Sequence, residues 1–531
     1  MTPIFTHRLT RLTVALLGCF LPVFALAQTP VAQHGGIFNL GAGLSVLLVV
    51  CIFCVCAFEF VNGFHDTANA VATVIYTNTL KPHLAVVLSG CMNFLGVLFG
   101  GLVVAVGIMN LLPIEVLTEQ SLAQSMAMIF ALLLSAIIWN VGTWYFGLPA
   151  SSSHTLIGSI LGVGLAFSYL TGKDAVNWHK LQDTGLSLLL SPLFGFVVTI
   201  AFMLLLRWIV KTPKQKRRIH LNTDHITAEQ IASGEEVDEW ANEANIFKGP
   251  KDGKEPPRWI RYILIFACAG VSFAHGQNDG QKGVGLMMLI LIGIAPAYFA
   301  LSDQVNPADF LPNVQRATEL FVKIDSTQLS PKQKDAYGKT KLFLTDLEAQ
   351  LATIKSIDDI PLDKRFAVRK DIILTEKNVK KMIESGDLNL SEIEQTTLNG
   401  EVKKMRKLTD FAPSWVIALI SISLGLGTMI GWRRIVVTIS EKIGKNHLSY
   451  AQGVSAQLVA ASTIGLSTYF GLPVSTTHVL SSGVAGSFVA QRGVKSLQKG
   501  TLQNIALAWV LTLPVTMLLA ATLYLILRAI L

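Results

Sequence analysis

YFGLPASSSH at residues 145–154 is written again, as YFGLPVSTTH, at 469–478. Ala150 becomes Val474 and two serines become threonines; the rest is unchanged. Glycine suits a helix end and proline a first helical turn. Each copy therefore reads as one helix stopping and the next one starting. Ser151, Ser152 and Ser153, and then Ser475, Thr476 and Thr477, fall in the opening turn of the new helix. Backbone N–H groups there lack carbonyl partners and the helix dipole is positive. Three hydroxyls beside them complete a cradle for an anion that needs no fixed cation. Plain helix capping is the simpler reading of one copy; two matching copies favour the cradle.

A second element is doubled as well. His65-Asp66-Thr67-Ala68-Asn69 answers to Asn278-Asp279-Gly280-Gln281-Lys282. Asp66 and Asp279 lie 213 positions apart, while His154 and His478 lie 324 apart. The difference, 111, is the length of the polar stretch 301–411. With that stretch set aside, both motif pairs share one register, so the chain is a duplicated unit carrying an insert. Ionisable side chains inside apolar spans are costly and point to function. Both aspartates sit where Asn62-Gly63-Phe64-His65-Asp66 and His275-Gly276-Gln277-Asn278-Asp279-Gly280 are expected to break a helix. Freed carbonyls would there join carboxylate and amide oxygens around a cation, or the carboxyl would carry a proton. Lys282 would contact an anion or pair with an aspartate. Glu59 is open between a proton relay and a structural hydrogen bond. His154 and His478 are open between proton-sensing imidazoles and packed ones, and the same holds for His65 and His275.

The composition supports a membrane setting. Of 531 residues 51% are hydrophobic and 15% charged, where a soluble chain carries about a quarter charged. Several apolar runs reach the roughly 20 residues a bilayer crossing needs. Residues 1–27 have Arg8 and Arg11, an apolar stretch and the ending Ala25-Leu26-Ala27, a signal-like leader or a first helix. Five segments follow at 43–80, 84–108, 126–146, 149–170 and 187–210, and five more at 259–300, 412–432, 449–470, 473–490 and 503–530. Lys211, Lys214, Lys216, Arg217 and Arg218 open the 211–258 linker and mark it cytoplasmic. Arg433 and Arg434, and Arg492, Lys495 and Lys499, mark two later loops as inside; Glu115 and Glu119 suit an outside loop. An odd number of spans per half makes the halves face opposite ways. The fold expected is thus an all-α polytopic membrane protein, an inverted-topology repeat of two five-segment halves with broken helices. Residues 301–411, with Leu342, Leu344, Leu347 and Leu351 at helical spacing, read as a helical soluble insert on the outer, periplasmic side. The net charge of +8 reports topology and implies no nucleic-acid partner. Cys19, Cys51, Cys54, Cys56, Cys91 and Cys268 lie in apolar runs, so neither a disulfide framework nor a metal site is expected.

NGFHDTANAVATVIYT (62–77) and AHGQNDGQKGVGLMMLILIG (274–293) resemble the paired signatures of the inorganic phosphate transporter family, Pit type. GLPASSSH and GLPVSTTH resemble that family's other repeated element, and the bacterial low-affinity transporters carry a similar insert. The resemblance implies symport of inorganic phosphate across a bacterial inner membrane. It implies protons as the coupling ion, with sodium in other branches, and possible passage of phosphate as a complex with a divalent metal such as magnesium. Asp66, Asn69, Asn278 and Asp279 would serve the coupling ion or the metal-phosphate. Ser151, Ser152, Ser153, Ser475, Thr476, Thr477 and Lys282 would hold phosphate. Glu59, His65, His154 and His478 would be candidates for a proton relay. No resident cofactor or metal is implied, and oligomerisation is left open. Two departures, His65 where the family often has Asn and Lys282 opposite Asn69, weigh against symmetric sodium sites and toward protons.

Competing readings share these residues. Sulfate is also a tetrahedral dianion, but only phosphate can donate a hydrogen bond to an aspartate. An intramembrane hydrolase would use Ser, His and Asp. Ser151 and His154 at i, i+3 on one helix are poorly placed for that, and no G-x-S-x-G elbow exists. A channel would need no pair of buried carboxylates.

Overall fold

The computed structural model describes residues 42–112, 116, 120–209, 256–327, 329–386, 388–445 and 448–530. The leader, most of the 211–258 linker, Glu115 and Glu119 lie outside the described residues. Every long apolar run among the described residues is helical. In chain order these are α1 (Ala42–Tyr76), α2 (Pro82–Phe99), α3 (Val103–Met109), α4 (Leu122–Tyr145), α5 (Ser152–Thr171) and α6 (Trp178–Ile209). α7 (Arg258–His275) and α8 (Gln281–Ile294) are joined by a π-helical turn, Gly276–Gly280. α9 (Leu311–Val322), α10 (Pro331–Leu351), α11 (Arg365–Glu384) and α12 (Glu392–Met405) make up the insert. α13 (Ser414–Thr428), α14 (Arg433–Glu441), α15 (Tyr450–Tyr469), α16 (Thr476–Arg492) and α17 (Lys499–Ile530) complete the chain. Among the described residues the only β pairing is an isolated bridge between Gly444 and Leu497.

Seven of these helices, counting α7 and α8 as one, are long and apolar enough to cross a membrane. α13 and α14, bent by 68°, make an eighth if they form one span. The outer faces of α6 and α17 agree: Leu189, Leu193, Phe194 and Val197, and Leu507, Val510 and Leu518, are all exposed. An apolar band of that kind belongs in lipid. α15 and α16 are less apolar. They bury Gln452, Ser455, Gln457, Ser481 and Ser487 and pack on each other and on α6.

The structure corrects several sequence expectations. No break occurs at Asp66, because α1 runs unbroken through Asn62–Asn69. At Asp279 the chain does not stop either but widens into the π turn, a deformation common at functional sites. Gly63 and Gly276, breakers by residue type, do not break their helices. Their missing side chains instead allow close crossings: a Cβ on Gly63 would lie 2.4 Å from the Leu424 carbonyl oxygen, and one on Gly276 2.2 Å from that of Asn93. The 84–108 segment is two helices, α2 and α3, parted at Gly101 with φ +74°. Pro149 and Pro473 precede their helices, since Ser151 and Ser475 take the N-cap positions.

The crossings are themselves duplicated. α1 meets α13 at Gly63 against Leu424 and at Gly427 against Phe60; α2 meets α7 at Gly276 against Asn93 and at Gly96 against Phe273. Gly63 and Phe60 are the register counterparts of Gly276 and Phe273. The first helix of each half thus packs on the second helix of the other. Small residues at such crossings let backbones approach where lipid offers no hydrophobic drive.

The chain divides into two compact units, one of Ile52–Pro113, Met126–Gly285 and Trp415–Leu531, the other built mainly from Leu286–Ser414. In the second, α9 and α11 each pack on both α10 and α12, a closed four-helix bundle. Its core holds Val314, Phe321, Leu344, Leu347, Leu351, Ile372 and Val402. Leu342, placed by periodicity on the apolar stripe, is instead 64% exposed. Arg369, 3% exposed, donates to the carbonyls of Ala300 (2.9 Å) and Thr409 (2.7 Å), clipping together the two ends of the bundle. Arg369→Ala is expected to cost the bundle roughly 2–4 kcal/mol, since charged hydrogen bonds are lost and buried carbonyls left unpaired. In the full chain it should expose 301–411 to limited proteolysis at temperatures the wild type resists.

Candidate functional site

The doubled motifs converge. Gly147 (φ +66°) and Gly471 (φ +68°) turn the chain after α4 and α15, and each following segment enters a new helix at a serine N-cap. Ser151 Oγ accepts from the His154 N–H at 3.3 Å, and Ser475 Oγ from the His478 N–H at 3.1 Å. One hydroxyl of each trio is therefore spent on capping, as in any helix. The other two of each trio are buried; Ser152, Thr476 and Thr477 turn to the aspartates, and Ser153 to Lys282 and the Val474 carbonyl.

Asp66, 3% exposed on α1, accepts from Ser152 Oγ at 3.0 Å and from Thr477 Oγ1 at 2.6 Å. One donor comes from each helix start, so the two halves meet on a single carboxylate. Asn69, one turn on, donates to Asp66 (3.2 Å) and to Thr477 Oγ1 (3.0 Å). His65 approaches Asp66 with Nδ1 at 3.5 Å and Thr143 Oγ1 with Nε2 at 3.1 Å.

Asp279 leaves from the π turn. Thr476 Oγ1 donates to it at 3.4 Å, and Lys282 Nζ lies 2.5 Å from its Oδ1. Lys282 also donates to Ser153 Oγ and to the Val474 carbonyl (2.9 Å), and Ser153 Oγ itself donates to Val474 O at 2.9 Å. Asn278 pins the second hydroxyl segment: its amide donates to Thr468 Oγ1 (3.0 Å) and Leu472 O (3.2 Å) and accepts from the Val474 N–H (3.2 Å).

His275, by sequence an even choice between packing and function, sits between the carboxylates. Its Nε2 is 3.6 Å from Asp66 Oδ2 and 3.3 Å from Asp279 Oδ2. Asn93 Oδ1, 3.0 Å from Nδ1, orients its ring. Asp66, His275 and Asp279 offer ligand atoms all within 4.8 Å of one another, a set suited to a divalent cation. Only its place one helical turn before Asp279 signals this in the sequence; Asn93 and Thr143 carry no signal at all.

The remaining candidates stand apart from the aspartates. His154 and His478 face each other with ring centroids 4.6 Å apart, and Trp509 covers His478 at 4.1 Å. His154 Nδ1 lies 2.9 Å from Ser151 Oγ, a contact between an N-cap and its own first turn. Glu59 is fully buried, accepts from Asn62 at 3.2 Å and borders Gly283.

Comparison with known proteins bears on this arrangement. The model of the "Phosphate transporter family" matches residues 62–520. The low-affinity inorganic phosphate transporter PitA of Escherichia coli (strain K12) is 42% identical over 516 residues, which cover 92% of this chain and 98% of that one. The low-affinity inorganic phosphate transporter of Buchnera aphidicola subsp. Acyrthosiphon pisum (strain APS) is 41% identical over 499 residues, 90% of this chain and 96% of the other. A solved sodium-dependent phosphate transporter aligns over 91% of this chain and all of its own, at 19% identity and a TM-score of 0.47.

Proposed function

Because the chain belongs to the phosphate transporter family, a family of multi-pass membrane transporters and not of enzymes, we propose that it imports inorganic phosphate by proton symport. One observation carries the reading: hydroxyls from both helix starts, Ser152 and Thr477, converge on the single carboxylate of Asp66. A carboxylate and a phosphate compete for the same hydroxyl protons. Neutralising Asp66 with a proton weakens its hold on Ser152 and Thr477. Those hydroxyls then turn to phosphate, joined by Ser153, Thr476 and the free N–H groups of the first turns. Ser151 and Ser475 hold the two helix starts in shape. Lys282 supplies positive charge alongside. Bound ion and bound phosphate thereby favour each other, which is what symport requires.

The remaining parts of the reading follow from this centre. The two halves face opposite ways, exchange access by rocking about the site, and place 301–411 on the outer side of the bacterial inner membrane. His65 and Glu59 flank the route of the proton, while His154 and His478 pack behind the cradle. A divalent metal travelling as cargo with phosphate would meet Asp66, His275 and Asp279. Sodium coupling and sulfate transport are the other outcomes open to test.

Labelled phosphate uptake into proteoliposomes decides among them, under a proton or a sodium gradient, with and without magnesium and excess sulfate. Proton-driven uptake, indifferent to sulfate, is the expected result, and enhancement by magnesium would add the metal complex. Sodium drive alone reassigns the coupling ion, strong sulfate inhibition reopens the substrate, and uptake without any gradient dependence indicates a channel. Thr477→Ala is expected to lower uptake about tenfold, the loss of one hydrogen bond to a charged group.

A further inference from the structure

The two aspartate sites are built alike except at one position. Asn69 and Lys282 are register counterparts, as are Thr477 and Ser153, and Asp66 and Asp279. Each of the two side chains bridges its own aspartate to the hydroxyl contributed by the other half: Asn69 to Asp66 and Thr477, Lys282 to Asp279 and Ser153. At Lys282 the ammonium is enclosed by a carboxylate oxygen, a hydroxyl and the Val474 carbonyl. Those are the oxygen types a small monovalent cation collects, and its three N–H bonds are all used. At Asn69 the corresponding carboxylate and hydroxyl, Asp66 and Thr477, are present, with a neutral amide in place of the ammonium. The Asn69 side chain is 3% exposed, and its Oδ1 has no hydrogen-bond partner, beside a carboxylate that accepts from Ser152 and Thr477 and faces His65 at 3.5 Å and His275 at 3.6 Å. A buried, unpaired acceptor next to a buried carboxylate offers the ligand set a small cation takes.

We propose that Lys282 is a tethered coupling cation. Its ammonium permanently fills one of two equivalent cation sites, leaving Asp66, Asn69 and Thr477 as the one exchangeable site of the cycle. The proposal rests on the symport reading and fixes a quantity that reading leaves open, the number of mobile cations per phosphate. Arg or a neutral residue cannot substitute simply. A guanidinium is too broad for the three-oxygen cage, and a neutral residue leaves Asp279 in need of a charge from solution.

The test is the accumulation ratio of labelled phosphate at zero net flux in proteoliposomes, under a fixed tenfold gradient of the driving cation with the membrane potential clamped at zero. Each extra co-transported cation multiplies that ratio by ten. Lys282→Asn, which copies the Asn69 site, is expected to raise it about tenfold over wild type. Asn69→Lys, which tethers a second ammonium, is expected to lower it about tenfold. A merely structural lysine would change rates and leave the ratio where it was. An unchanged ratio in either variant that transports overturns the proposal, as does loss of phosphate exchange in both despite normal membrane insertion. Should Lys282→Asn fail to insert, Asn69→Lys carries the test alone. Wild-type liposomes that take up no phosphate would refute the transport reading itself, a result separable from any ratio.

Discussion

Asp66→Asn should abolish gradient-driven phosphate accumulation while the protein still inserts. The substitution keeps the shape of the side chain and removes the charge that two hydroxyls from opposite halves converge upon. Each hydrogen bond to a charged group is worth about 1.5–3 kcal/mol. Those bonds belong to the state without phosphate; what Asn removes is the group that takes up and releases the coupling ion, so accumulation driven by the gradient is expected to disappear. Proteoliposome uptake at matched reconstitution measures it. Near-normal accumulation would remove Asp66 from the coupling step. Asp279→Asn should be equally inactive for a different reason: it strands the buried Lys282 ammonium without its counter-charge, a loss of about 3–5 kcal/mol. Asp279→Asn should accordingly also lower the thermal stability of the solubilised protein, and by more than Asp66→Asn does.

The second large effect is expected at the helix crossings. Gly276→Ala places a methyl group 2.2 Å from the Asn93 carbonyl oxygen, and Gly63→Ala one 2.4 Å from that of Leu424. Both obstacles are backbone, so no side chain can swing away and the helices must part. Such overpacking costs about 1–3 kcal/mol in ordinary cores, and the cost rises where backbone meets backbone. Each variant should shift the thermal transition of the detergent-solubilised protein down by at least several degrees. Gly338→Ala on α10 is the control: nothing lies within 4 Å of the added Cβ, and a helical glycine exchanged for alanine should gain about 0.5–1 kcal/mol. Equal shifts in all three would show that the crossings are looser than their geometry implies.

The duplicated motifs make most of the site legible from the residues alone. Asp66, Asp279 and the six hydroxyl residues recur in register, and recurrence separates them from ordinary polar residues. What the sequence hides has physical causes. Asn62-Gly63 and His275-Gly276 look like helix breakers because glycine and asparagine are poor helix formers in water. Buried against another backbone, the same glycines are contact points, and the helix runs on. His275 is obscured because its meaning lies in reaching Asp66, 209 positions earlier in the chain. Ser151 and Ser475 share their neighbours' residue type and yet cap helices, a division of labour that only local geometry reveals. The insert shows the ordinary limit of periodicity: Leu344, Leu347 and Leu351 point inward, and Leu342, out of phase with the bundle, points to solvent.

The exchanged pairing of α1 with α13 and of α2 with α7 makes the halves depend on each other. A single half would lack these glycine-mediated crossings within itself, although α7 also packs on α15 of its own half. It would find them only in a second copy, each subunit lending its second helix to the other's first. The present chain thus carries inside one polypeptide contacts that two separate halves could make only by associating. Matched positions such as Asn69 and Lys282 differ while the shared crossings hold the halves in register. Co-expression of the halves as separate chains should therefore restore an assembled protein that neither half forms alone.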